Sequence, residues 1–115
     1  MKSTTTSSST FVLRSADHYI SRARSWQSIS HAKKIRLQAN TIACKSGISI
    51  SDHAWSCYAE FRALRKEGRE LQDTGSEEQF TEYDKSWDEF TGSDRFGAAL
   101  CVDRFVHKVD PWEWD

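Results

Sequence analysis

The chain has 115 residues, a length that holds one domain and excludes a second independent core. With 37% hydrophobic and 29% charged residues, and five Trp, three Tyr and six Phe, it has a polar globular composition with enough bulky apolar area for a core. Its longest apolar run, 97–102, stops at Asp103, far short of the roughly 18–20 residues of a membrane-spanning helix. The first ten residues hold Lys2 but no apolar stretch of a secretory signal, so the expectation is a soluble, cytoplasmic protein. Cys44, Cys57 and Cys101 cannot all pair within one chain and form no C-x-x-C spacing, which reads as reduced thiols.

The net charge of −1 conceals a segregation. Residues 1–50 carry eight bases against one acid, Asp17, whereas residues 51–115 carry eight bases against 16 acids. Such a chain either shows two faces of opposite sign to partners or folds its halves together so that the field cancels.

In chain order, residues 1–10 hold eight Ser and Thr and predict a disordered tail. Ala16, Tyr19, Ile20, Ala23 and Trp26 recur at helical spacing after Ser15, a capping residue, and predict a helix over about 15–27, with residues 11–13 as its lead-in. Ala32, Ile35, Ala39 and Ile42 predict a second helix over about 30–46, ended by Gly47 in the left-handed conformation. A third and longest helix, about 51–73, carries the stripe Ala54, Cys57, Phe61, Leu64, Gly68, Leu71, and its glycine predicts a close helix crossing.

The capping box Ser76–Gln79 opens a fourth helix, 76–91, lined on one side by Phe80, Tyr83, Trp87 and Phe90. Ser93 begins a fifth, to about Lys108, whose wide apolar arc predicts the buried centre of a bundle. Pro111 forbids continuation and leaves 110–115 as an acidic, aromatic tail. Strand alternation and hairpin turns are missing, so the expected architecture is all-α: one bundle of five helices over about 11–109.

Where the second helix meets the third, Ala43, Gly47 and Ile48 fit half the positions of the helix-turn-helix class over about 20 residues; His53 and Ser56 stand where the register wants apolar side chains. The first turn of that would-be recognition helix offers Ser49, Ser51, Asp52 and His53, with no Arg or Lys for base edges, so an ordinary helix hairpin with a glycine cap is the favoured alternative.

A separate basic signal is the series Trp55, Ala59, Arg62, Lys66, Arg69, spaced by four and three as one exposed ridge, with Lys33, Lys34 and Arg36 on the second helix. Cations interleaved with a stackable Trp suit phosphates and unpaired bases. The fourth helix offers the mirror image, with Glu78, Glu82, Asp88 and Glu89 among six carboxylates. Trp112 and Trp114 in the tail are anchors of the type enriched at protein interfaces, or a clasp on the bundle.

Cys44, His53 and Cys57, with Cys101 or His107, make a zinc cluster sterically conceivable, but buried structural cysteine is the commoner outcome and no metal or cofactor is expected. No phosphate loop, nucleophile elbow or metalloprotease motif is present, and no enzyme is expected. Leu37 and Cys44 lie off the main stripe of the second helix, which means burial on two sides or a homodimer contact.

The leading expectation is a small protein-binding module of the phage- or mobile-element-inhibitor kind, engaging a macromolecule through its acidic, aromatic surface. The alternative is nucleic-acid binding through the basic second and third helices.

Overall fold

A computed structural model describes the backbone of residues 16–110 and the side chains from residue 18 onward. It is all-helical within those bounds: α1 (Ala16–Ser28), α2 (Ser30–Lys45), α3 (Asp52–Thr74), α4 (Glu77–Thr91) and α5 (Asp94–Val109). The expected tail 1–10, the lead-in 11–13, Ser15 as a cap, and both Trp112 and Trp114 lie outside the described residues.

Helix ends follow the capping chemistry. Ser51 accepts the Ala54 amide at 3.1 Å, and Ser76 and Gln79 form the full capping box, with backbone N–H groups donating at 2.8 and 3.2 Å. At the end of α2, Gly47 has φ +77°, and the Ile48 amide reaches back to the Ala43 carbonyl at 2.9 Å, the arrangement that closes a helix through a left-handed glycine. Ser93 departs from expectation: its hydroxyl donates to the Phe90 carbonyl at 2.7 Å and does not cap α5.

The core has two parts on either side of α3. One joins Ile35, Ala39 and Ala43 of α2, Trp55 and Tyr58 of α3, and Val102, Phe105 and Val106 of α5. The other joins Tyr19 of α1, Cys57, Phe61 and Leu64 of α3, Phe90 of α4 and Ala99 of α5. Phe61 is its hinge point, stacked on Phe90 at 6.0 Å and edge-on to Phe96 at 5.7 Å.

The centre of the bundle is shared: α3 packs against α1, α4 and α5, and α5, the expected centre, packs against α2, α3 and α4. α5 buries Ala99, Val102, Phe105 and Val106, but Leu100 on its wide apolar arc stays 44% exposed. Gly68 marks the close crossing its sequence predicted: a Cβ there would lie 2.6 Å from the Tyr83 hydroxyl of α4. Neither α1 nor any other helix of the described residues is long and apolar enough to cross a membrane.

Candidate functional site

The outer face of α4 is a row of carboxylates. Glu77, Glu78, Asp84, Asp88 and Glu89 are exposed, while Phe90 and half-buried Tyr83 and Trp87 root the helix on α3 and α5. None of those five makes an ion pair with a described residue; the one base of the helix, Lys85, reaches Glu82 at 3.4 Å. Glu82 itself is turned partly inward, its side chain 29% exposed and its Oε2 buried without a hydrogen-bond partner. The open acidic face therefore consists of Glu78, Asp88 and Glu89 as expected, with Glu77 and Asp84 in the place of Glu82.

The basic ridge expected along the third helix is not assembled. Trp55 is 1% exposed and Ala59 equally buried, so the stackable indole belongs to the core. Its Nε1–H donates to the side-chain Oδ1 of Asn40 on α2 at 3.0 Å, and Arg36 covers its ring at 5.3 Å. Arg36 is occupied in holding α2 against its neighbours, at 3.2 Å from Gln27 of α1 and 3.5 Å from Asp52 of α3. Lys33, Lys34, Lys66 and Arg69 are exposed, the first two on α2 and the other two on α3.

Arg62 turns toward α1 and lies 4.4 Å above the Trp26 ring. There it meets two further cations, Arg22 and Lys66, on the wall of a cleft of about 340 Å³ between α1 and α3. The small side chains of Ala59 and Ala63 form its floor, and Ile29, 46% exposed, its rim. Arg22 is held from behind by Glu67 at 2.8 Å and Glu70 at 3.4 Å, neither of which lines the cleft. Sequence reading missed Arg22 and Trp26 at this place: Trp26 fitted the core stripe of its own helix, and only its spacing of four from Arg22 hinted that indole and guanidinium share a face.

The helix-turn-helix geometry is absent from the α2–α3 junction. Residues 46–51 make a six-residue connection, longer than the three or four residues of that motif, and α2 packs on α1 and α5 while touching α3 mainly through side chains such as Asn40. The junction is a helix end capped by a glycine, and Ile48 and Ile50 use it to cover the first core cluster.

Cys57 is buried with its Sγ 3.6 Å from His53 Nε2, beside the ion pair of Arg95 with Glu60, whose Nη1–O distances are 2.9 and 3.1 Å. Burial, then the Glu60 charge, raises the Cys57 pKa, with Arg95 opposing them, so the thiol stays protonated at neutral pH. Burial also raises the Glu60 carboxyl against the pull of Arg95. Cys44 and Cys101 are exposed, and among the described residues no three His, Cys, Asp or Glu side chains converge as metal ligands.

Leu37 is 69% exposed, so α2 is not buried on two sides and its second apolar face is open. No protein-family model, curated protein or solved structure matches the chain.

Proposed function

We propose that the chain is a non-enzymatic protein-binding module that docks the acidic face of α4 on a basic surface of another macromolecule and so blocks or modifies it. One observation supports this above the rest: five exposed carboxylates on a single helix lack described cation partners, on a helix fixed by a capping box at one end and Phe90 at the other. Repulsion among them costs stability, and a cationic partner relieves it while gaining speed of encounter from the field. A row of this spacing imitates the charges of a nucleic-acid backbone, which is how a small inhibitor or regulator of the phage type would occupy a basic groove. Trp112 and Trp114, which lie outside the described residues, extend the same reading as aromatic anchors of the kind enriched at interfaces.

The nucleic-acid reading keeps Lys33, Lys34 and Lys66 as exposed cations but loses Trp55 to the core and Arg36 to structural contacts. The protein-binding reading is the better supported.

Affinity capture from a native lysate treated with nuclease, comparing the wild type with Glu78→Lys/Asp88→Lys/Glu89→Lys, tests the proposal. A basic protein retained by the wild type and by Lys33→Glu/Lys34→Glu, but lost with the α4 variant, supports it. Capture that survives the α4 reversal, or that disappears with nuclease, contradicts it.

A further inference from the structure

The cleft between α1 and α3 has a composition that packing alone does not require. Its walls bring together Arg22, Arg62 and Lys66, and among the described residues no carboxylate lines it. Between the cations lie apolar surfaces: the Trp26 indole, the Ile29 side chain and the alanine floor. At about 340 Å³ it falls in the range of small-ligand sites, which run from about 300 to 1,000 Å³.

Two of its charged groups are held in place, one from outside the cleft and one by the cleft wall itself. Arg22 is fixed by Glu67, which is only 6% exposed, and the Arg62 guanidinium carbon lies 4.4 Å over the Trp26 ring. A planar fork held in this way matches phosphate oxygens, and Lys66 one helical turn along α3 adds a mobile point charge.

From this we infer that the α1–α3 cleft binds a phosphorylated ligand with a flat apolar body, of the nucleoside phosphate class. The phosphate group meets Arg62 and Lys66, with Arg22 contributing charge, and the ring lies over Ala59 and Ala63 toward Ile29. The same chemistry is presented by a free nucleotide and by the phosphorylated end of a single strand. The site shares no residue with the acidic α4 face, so it stands or falls separately from the proposed protein-binding role.

The experiment is a titration of the ¹⁵N-labelled full chain, read on backbone amides and tryptophan indole N–H signals. The probes are ADP, pyrophosphate, adenosine, and a short deoxyoligonucleotide with and without a 5′-phosphate. ADP is expected to shift the indole of Trp26 and the amides around Arg62, pyrophosphate to act more weakly, and adenosine not at all. Arg62→Gln and Lys66→Gln, each checked for an unchanged helical spectrum, should each weaken ADP by about tenfold, the effect of losing one charge-assisted contact. Lys33→Gln should leave it unchanged.

A 5′-phosphorylated strand that shifts the same signals while ADP does not would assign the ligand to strand ends and leave the site standing. Three results would overturn it: no shift with either ADP or the phosphorylated strand at about 5 mM, a concentration at which even feeble millimolar binding is visible; equal binding of both oligonucleotides; or binding indifferent to Arg62→Gln and Lys66→Gln.

Discussion

Tyr83 of α4 donates a 2.8 Å hydrogen bond to the Leu64 carbonyl of α3 across the space that Gly68 leaves open. A Cβ at residue 68 would sit 2.6 Å from the phenol oxygen and 2.9 Å from the ring carbon that bears it. The contact is what seats α4, and hence its acidic row, on the long central helix. Burial pushes the Tyr83 phenol up to about 12, so it remains a donor through the neutral range.

Gly68→Ala should therefore destabilise the protein by about 1–2 kcal/mol, because overpacking outweighs the roughly 1 kcal/mol that alanine gains in helix propensity. In a Tyr83→Ala background, where the space is vacant, the same change should stabilise. Denaturant melts of the two single variants and the double variant measure this; additive effects would mean that the close approach is not a constraint.

Asn40 is exposed, yet its side chain satisfies the indole N–H of Trp55, which is 1% exposed. Asn40→Ala should cost about 1–3 kcal/mol by leaving a buried donor without a partner, more than an exposed position normally yields. Thermal unfolding checks this, with Lys33→Ala on the same helix as a control near zero.

The Glu60 carboxyl lies above the usual glutamate range because burial outweighs the pull of Arg95. The folded chain then binds this proton more tightly than the unfolded chain. Its contribution to stability is full below the ordinary glutamate pKa and is lost as pH rises through the folded value. Arg95→Met removes the opposing influence and should move the Glu60 midpoint, followed by carboxyl ¹³C shifts, further upward. The variant should lose about 2–3 kcal/mol at pH 7, where the carboxylate is left buried without its partner, and less at pH 4. A midpoint unmoved by the substitution would refute this account of the pair.

Thiol chemistry should separate the cysteines. Cys44 and Cys101 are exposed, whereas Cys57 is buried with a raised pKa. A colorimetric thiol reagent at pH 8 should titrate two groups quickly in the native protein and the third only on unfolding. Fast reaction of Cys57 would show that its thiol is open to solvent and activated, against its burial.

α2, α3 and α4 were legible because they carry their own punctuation: Gly47, Ser51, and Ser76 with Gln79 act within a turn or two of the chain, and apolar spacing of three and four fixes the faces. Gly68 was legible as a crossing because a glycine within a long amphipathic stripe has few other uses. Trp55 was not. The width of the buried arc on α3 depends on how many helices surround it, and with α1, α4 and α5 packed on it and α2 reaching in through Asn40, the arc widens to take in Trp55, Tyr58 and Ala59. Arg22 with Glu67, 45 residues apart, and Arg62 with Trp26 are likewise pairings that no local spacing announces. The segregation of charge along the chain was legible, and part of it is cancelled by the Arg22 and Arg36 ion pairs, while the face of α4 keeps its sign.

The claim on which the binding reading rests is that α4 presents a negative exterior apart from the positive lysines of α2. Paramagnetic relaxation of amide protons by a cationic and by an anionic nitroxide of equal size reports the potential near each residue. The account predicts that the cationic probe relaxes residues 77–89 more than the anionic one at low salt, with the opposite order at Lys33 and Lys34, and that both contrasts shrink toward 1 M salt, where the screening length falls to about 3 Å. Equal relaxation by the two probes along α4 would contradict it.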